Sequence, residues 1–313
     1  MNDEPRWFFT RGELARDGWQ TVVDDVLDGW QHTGLRVARL DEGDEVRLPA
    51  SAVERMVVPL AADHVVVEWT DARGGSGTIE LSGRRSVFDG PTDVVYLGTD
   101  TAARIYGPGR VAVAEAPATQ PLDVQIVRKA DVAIEIRGAG RSTRQVHNFG
   151  TPAGLRAQKL IVCEVVTPAE NWSSYPAHKH DEAVPGVESS LEEIYYFESE
   201  VSRGLSAPEQ ADPFGLFAAH GSPAGEIEIN RLVRTGDVAL VPFGYHGPAV
   251  AAPGYDLYYL NVMAGPGDER VWNITDDPAH GWVRDTWTSL ETDPRLPYLP
   301  VEATDIPERG PRR

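Results

Sequence analysis

The chain has 313 residues, of which 41% are hydrophobic and 25% charged, a profile typical of a globular protein large enough for two domains. Acidic residues outnumber basic ones by 48 to 29, so the formal net charge is −19. This balance argues against nucleic-acid partners and anionic membranes, because both require a basic surface. There is no signal-peptide pattern and no apolar run near the roughly 18 residues of a membrane span, so we expect a cytoplasmic protein. The single cysteine, Cys163, excludes an intrachain disulfide.

The predicted elements are mostly short strands, because β-branched and aromatic segments alternate with glycine and proline turns. One segment with helical periodicity, between Glu13 and Trp30, precedes them and predicts a helix. In chain order, the predicted strands are 56–60, 64–69, 93–97, 110–114, 160–163, 194–197, 237–241 and 257–260. Short strands with regular turn signals predict an all-β barrel or sandwich.

A faint internal repeat divides the chain. The strand 93–97 leads through a glycine-rich turn to 110–113, and 237–241 leads through a similar turn to 255–258. We therefore predict two related barrels in tandem, residues 1–145 and 146–290, followed by an extended tail over 291–313.

The densest chemical segment contains His178 and His180. Because side chains on a strand alternate between its faces, two histidines two residues apart point to the same side. Neutral imidazoles converging on one point are typical ligands of Zn, Fe, Ni, Cu and Mn. A carboxylate is expected on the next strand, and the spacing leaves Glu192 and Glu193 open, since they face opposite sides.

A third histidine follows a distant buried strand. His246 comes after a turn formed by Pro242 and Gly244. A His-x-His pair, a glutamate on the next strand and a later histidine make the cupin pattern. The predicted fold class is therefore all-β, with tandem double-stranded β-helix barrels, a bicupin. The first barrel has no His-x-His, and the repeat aligns Ala102 with His246, so we expect that barrel to be structural.

Long segments of the chain resemble one enzyme family. The sequence is similar to 5-deoxy-glucuronate isomerase of myo-inositol catabolism, a bicupin family related to the uronate ketol-isomerases. The resemblance extends from about Trp30 over the remainder of the chain. It is most specific at residues 172–181, 191–196, 241–246 and 253–265.

The resemblance implies a ligand set and a reaction. In the related ketol-isomerases the ligand carboxylate directly precedes a Val/Ile-Tyr pair, which is Glu193 here. One divalent ion per chain (Zn, Mn, Fe or Ni) would then be held by His178, His180, Glu193 and His246. The implied reaction converts 5-deoxy-D-glucuronate to 5-dehydro-2-deoxy-D-gluconate through an enediol that the metal stabilises.

Further residues are candidates for handling the substrate. Candidates for proton transfer are Glu192, Tyr258 and Lys179, although strand alternation points Lys179 away from the metal and favours a salt bridge. Candidates for substrate binding are Arg137, Arg144, His220 and Tyr259. The family usually carries an arginine on the strand after the first motif, whereas residues 214–220 contain none. Another cation must then bind the substrate carboxylate, or the substrate is another sugar acid.

Two other classes of function are compatible with the same ligand set. Three histidines and a glutamate also suit a cupin dioxygenase, which would consume oxygen. A non-catalytic cupin would bind a uronate and release no product. The resemblance also implies that exposed barrel faces can pair into a homo-oligomer.

Overall fold

The computed structural model describes residues 7–299, and about half of them lie in strands. The first part of the chain contributes ten strands. They are β1 (Phe8–Phe9), β2 (Thr21–Val23), β3 (Gly34–Leu40), β4 (Glu45–Leu48), β5 (Val53–Thr70), β6 (Ser76–Arg84), β7 (Val94–Leu97), β8 (Ala102–Tyr106), β9 (Gly109–Pro117) and β10 (Gln125–Val127).

The second part contributes fourteen strands and one short α-helix, α1 (Val283–Thr286). The strands are β11 (Ile134–Arg137), β12 (Arg144–Gly150), β13 (Ile161–Thr167), β14 (Trp172–Ser173), β15 (His178–Lys179), β16 (Asp181–Val184), β17 (Glu188–Ser190), β18 (Glu192–Val201), β19 (Gly215–Ser222), β20 (Gly225–Val233), β21 (Val238–Val241), β22 (Tyr245–Ala251), β23 (Tyr255–Ala264) and β24 (Thr275–Asp276). Short 3-10 helices lie at Lys129–Asp131, Gly140–Ser142 and Trp287–Ser289.

The strands form two barrels joined along their sheets. A nine-stranded sheet, β2 to β10, makes the first barrel, and a seven-stranded and a six-stranded sheet make the second. All the pairings between these strands are antiparallel. The N-terminal strand β1 crosses to the second barrel, where Phe8 pairs with Ala239 of β21.

Three apolar cores fill the molecule. One lies inside the first barrel and includes Val67 and Ile105, and another lies inside the second and includes Phe197 and Phe217. The third lies between the barrels, where Met56 and Tyr96 of the nine-stranded sheet pack with residues of the seven-stranded sheet such as Ile194. Alternation along the strands explains this arrangement, because one face of each central strand lines a barrel and the other faces the neighbouring barrel.

The all-β prediction is confirmed, and each predicted strand overlaps an observed one. The segments 56–60 and 64–69 join into one strand, β5, with a register shift between Pro59 and Ala61. The helix predicted between Glu13 and Trp30 is wrong. Turns and β2 occupy this segment, because Gly18 and Gly29 have positive φ angles and Thr21–Val23 is β-branched.

The division of the chain at residue 145 remains a prediction. That position lies within β12, and sheet membership changes earlier, between β10 and β11. Of the predicted tail, residues 291–299 contain no helix or strand, while 300–313 lie outside the described residues. Within the described part of the chain, no helix is long and apolar enough to cross a membrane.

Candidate metal centre

Strand register brings three histidines and Glu193 together inside the second barrel. His178 on β15 lies directly opposite His246 on β22, and their ring centroids are 4.6 Å apart. His180 follows β15, with its ring centroid 4.7 Å from that of His246. One ring nitrogen from each histidine lies within 4.8 Å of those of the other two. Glu193 approaches from β18 in the opposite sheet, so the group spans both walls of the barrel.

Backbone carbonyls fix the orientation of all three imidazoles. Nδ1 of His178 lies 3.4 Å from the Pro176 carbonyl oxygen, Nδ1 of His180 3.1 Å from that of Leu191, and Nδ1 of His246 3.1 Å from that of Gly244. Because a carbonyl oxygen only accepts, each Nδ1 carries the proton and donates it. In a neutral imidazole the lone pair is then on Nε2, the atom available to a metal.

The Nε2 atoms of two histidines converge on Glu193. Its Oε2 lies 2.9 Å from His180 Nε2 and 3.0 Å from His246 Nε2. Although His246 Nε2 is buried and close, it has no hydrogen-bond partner among the described residues. A buried imidazole nitrogen without a hydrogen-bond partner, close to a carboxylate, is the arrangement expected of two ligands that share a metal ion. The set of three nitrogens and one carboxylate therefore fits a divalent cation.

Electrostatics agree with this fit at Glu193 and His178, whereas at His180 burial lowers the pKa but the adjacent Glu193 outweighs it and raises that pKa. Burial raises the pKa of Glu193, but the adjacent His180 and His246 outweigh it and hold the pKa well below its usual value. Burial, followed by the neighbouring His246 and His180, lowers the pKa of His178 well below its usual value. Glu193 is therefore ionised and His178 neutral at neutral pH, the protonation states that ligate a metal.

A glycine beside the cluster permits close backbone packing. Gly247 has a φ of +98°, and a Cβ atom there would lie 1.8 Å from the Ser174 carbonyl oxygen. Only glycine fits such an approach, so this residue helps to hold His246 against the segment that carries His178.

A cavity of about 240 Å³ opens from the cluster. At one end it is lined by His178 and Glu193, and elsewhere by the hydroxyl-bearing Ser174, Tyr195 and Tyr259. The hydroxyl groups of both tyrosines lie near Ser174 Oγ, at 3.1 and 3.2 Å. Burial raises the pKa of both phenols, so each is neutral and able to donate a hydrogen bond.

Three arginines line the same cavity, and they differ in their partners. Arg137 is paired with Glu135, and Arg284 is paired through two nitrogens with Asp276. Arg144 is buried, donates to the Ser142 carbonyl oxygen and lies over the Trp287 ring. Within residues 7–299, no carboxylate oxygen lies within ion-pair distance of Arg144. Burial lowers the pKa of Arg144 to about 10, so it still carries its charge at neutral pH.

The structure places the three candidates for proton transfer away from the cavity. Glu192 points to the opposite face of β18, where its carboxylate accepts backbone N–H bonds from Gln31, His32 and Thr33. Lys179 pairs with Asp181 and Glu188, as alternation along β15 predicts. Tyr258 donates to Glu164 in the core between the barrels. None of the three is among the residues that line the cavity.

Three of the four predicted substrate-binding residues lie at the cavity. Arg137, Arg144 and Tyr259 line the cavity, and His220 does not. His220 is on the outer side of β19, where it stacks on Tyr245 and pairs with Asp277.

Sequence reasoning missed several residues of the cavity wall. They are Ser174, Tyr195, Asn261, Trp272, Ile274 and Arg284. Alternation could have found Tyr195 and Asn261, because each shares a strand face with an identified residue, Glu193 or Tyr259. Arg284 on α1 had no such signal, since its position depends on how the chain folds back after β24.

The first barrel carries different side chains at the equivalent positions. Arg55 faces Leu97 of β7 and Glu115 of β9. Glu193 faces Val241 of β21 and Met263 of β23 in the same manner. Arg55 thus stands where the second barrel has Glu193, and it is paired with Glu115.

The fold and the cluster define a bicupin that gathers three histidines and a glutamate in its second barrel. Solved structures agree on the fold. An IolB-like protein from Salmonella typhimurium LT2 matches with a TM-score of 0.77 and 33% identity, over 89% of this chain and 99% of that one. Lactobacillus farciminis oxalate decarboxylase, in complex with formate, matches at 0.60 and 11% identity, over 88% and 90% of the two chains, so it shows the fold alone.

Sequence comparison gives the family. The model of the KduI/IolB family matches residues 8–283, and the chain belongs to that family. The 5-deoxy-glucuronate isomerase of Geobacillus kaustophilus is 35% identical over 262 residues, which cover 82% of this chain and 88% of the relative. That of Bacillus subtilis strain 168 is 39% identical over 203 residues, covering 64% and 70%. The chain is accordingly an isomerase, and the predicted resemblance is confirmed.

Proposed function

We propose that this protein converts 5-deoxy-D-glucuronate to 5-dehydro-2-deoxy-D-gluconate, with the reaction taking place in the cavity beside His178 and Glu193. The observation that carries the proposal is the pairing of two features in one cavity. A cluster of metal-ligand type lies at one end of the cavity. The buried guanidinium of Arg144, which has no carboxylate partner within residues 7–299, lines the same space. A sugar acid would present its carbonyl group to the metal-ligand cluster and its carboxylate to Arg144.

A divalent ion would be held by His178, His180, Glu193 and His246. When bound, it would supply Lewis-acid polarisation of the substrate's carbonyl and hydroxyl oxygens, which favours an enediol. The donor set of three imidazoles and one carboxylate suits Zn, Mn, Fe or Ni.

Arg144 would bind the substrate carboxylate. Arg137 and Arg284 already have carboxylate partners in Glu135 and Asp276, so they add little net positive charge. Arg144 has no carboxylate partner within the described residues, and its guanidinium can bind a planar carboxylate by donating two parallel hydrogen bonds. Arg144 would thus supply the positive charge expected from an arginine in the segment 214–220, which contains none.

Tyr259 and Tyr195 would act on the substrate's oxygen atoms. Both hydroxyl groups line the cavity and remain protonated, because burial raises the pKa of each phenol. A neutral phenol can donate a hydrogen bond to the oxygen that becomes negatively charged as the enediol forms. Since Glu192, Tyr258 and Lys179 lie elsewhere, we do not assign proton transfer to them.

The direct test is proton NMR of the metal-loaded protein with 5-deoxy-D-glucuronate in D₂O. The proposal predicts loss of the aldose signals, growth of the ketose product and deuterium uptake at the carbon beside the carbonyl group. Oxygen should not be consumed. Oxygen uptake without the ketose product would instead support a cupin dioxygenase, and saturable binding without turnover would support a non-catalytic uronate-binding cupin.

A further inference from the structure

The wall of the cavity contains two buried hydrogen-bond donors without protein partners. Asn261 is 3% exposed, and its Nδ2 has no hydrogen-bond partner among the described residues. Trp272 Nε1 is likewise buried and unpartnered. Both side chains line the cavity that contains His178 and Arg144.

The fold holds these two donors in place by other means. Asn261 is central in β23, between Cys163 of β13 and Tyr195 of β18. The Trp272 ring packs against the core of the second barrel, and the Arg137 guanidinium carbon lies 5.6 Å from its centroid. Within residues 7–299, neither N–H donor contributes a hydrogen bond to this packing, so the described fold gains nothing from their polarity.

A buried donor without a partner is unfavourable, and proteins seldom retain one unless a ligand or water satisfies it. The indole N–H can only donate, and an amide NH₂ group donates twice. Their partners must therefore be acceptors. A ligand that also pairs with the nearby Arg144 must be an anion rich in oxygen atoms.

We infer that Asn261 and Trp272 are specificity-determining residues that bind the hydroxyl and carboxylate oxygens of a polyhydroxylated acid. This inference rests on the proposed function, because it takes the cavity as the substrate site. Apolar residues, Val146, Val165 and Ile274, form other parts of the wall. The two donors and Arg144 thus define the positions along the substrate at which an oxygen atom is required.

Two substitutions remove the donors, and Asn261→Leu also preserves the size of the side chain. Asn261→Leu replaces the amide by an apolar group of similar size, and Trp272→Phe removes the indole N–H. If the donors serve the ligand alone, both variants keep their metal, and Asn261→Leu unfolds at the wild-type temperature or above it. Each should lower kcat/KM for 5-deoxy-D-glucuronate about tenfold, mainly by raising KM.

Trp69→Phe is the matched control. Trp69 in β5 also has a buried Nε1 without a hydrogen-bond partner in the described part of the chain, but it packs against the core of the first barrel. The same chemical change there should leave KM and kcat unaltered.

The proposed function and this inference fail separately. If the wild type isomerises the substrate and both variants match its kcat/KM, the inference is overturned and the function stands. If the wild type gives no product, the function fails, and calorimetric titration with 5-deoxy-D-glucuronate decides the inference. In that case the inference predicts that the wild type binds 5-deoxy-D-glucuronate and that each variant binds it about tenfold more weakly. Equal affinities, or no detectable binding, overturn the inference. A fall in the thermal stability of Asn261→Leu would also overturn it, by showing that the amide serves the fold.

Discussion

Glu192 and Glu193 are adjacent in β18, yet their carboxylates serve opposite sides of the sheet. Glu193 lies against His180 and His246 inside the second barrel. Glu192 accepts N–H bonds from residues 31–33, the segment that leads into the first barrel. A mirrored contact exists in the first barrel, where Glu54 of β5 accepts the N–H groups of residues 158–160. Each barrel thus anchors the entry strand of the other.

This arrangement predicts that Glu192→Gln affects stability and not chemistry. Burial raises the pKa of Glu192, and in the variant the three amide N–H groups that both carboxylate oxygens now bind would keep a single oxygen acceptor. We expect a loss of about 1–3 kcal/mol in the free energy of unfolding, measured by urea denaturation, with kcat unchanged. Glu54→Gln should give a similar loss. A hundredfold fall in kcat with unchanged stability would instead make Glu192 catalytic.

Arg144→Met should weaken substrate binding. The variant keeps much of the side-chain length and removes the one cavity guanidinium without a carboxylate partner in the described structure. Loss of a buried charged contact predicts a rise in KM of roughly 100-fold in steady-state assays. Because Arg144 is a buried charge, its replacement should not lower the unfolding temperature. Arg104→Met, at a half-exposed ion pair, is the control and should leave KM unaltered.

The ion pair between Arg84 and Glu164 predicts a pH dependence of stability. Burial raises the pKa of Glu164, but Arg84 and His147 outweigh it and lower the pKa from 4.5 to about 2. A carboxylate with a lowered pKa stabilises the folded state above its unfolded pKa, and this contribution disappears as the pH falls towards 2.

The stability difference between the wild type and Glu164→Gln should therefore be at least about 3 kcal/mol at pH 7 and shrink between pH 4.5 and 2. Denaturant unfolding across this range measures it. Glu68→Gln, at a partly exposed pair with Arg104, should cost less than about 1 kcal/mol. A pH-independent difference for Glu164→Gln would contradict the prediction.

Much of the fold was predictable because it depends on local pattern. Strand positions follow from β-branched segments between turns, and the relation of His178 to His180 follows from the strand period of two. The strand repeat also appears in the pairing, because Arg55 of β5 faces Leu97 of β7 as Glu193 of β18 faces Val241 of β21.

Other features depend on distant parts of the chain and left no local signal. The spacing alone did not separate Glu192 from Glu193, since either face of β18 is buried, one in the barrel and one between the barrels. Arg284 reaches the cavity only through the path of the chain after β24. The predicted helix near Trp30 failed because β2 pairs with β3, a tertiary contact that outweighs helical periodicity.

The most direct test of the account is the metal content of the purified protein, measured by inductively coupled plasma mass spectrometry beside that of His178→Ala. His64→Ala, at an exposed position of β5, is the matched control. We predict one divalent ion per chain in the wild type and in His64→Ala, and its loss from His178→Ala with the β-sheet circular dichroism unchanged. A folded His178→Ala variant that retains stoichiometric metal would contradict the central claim.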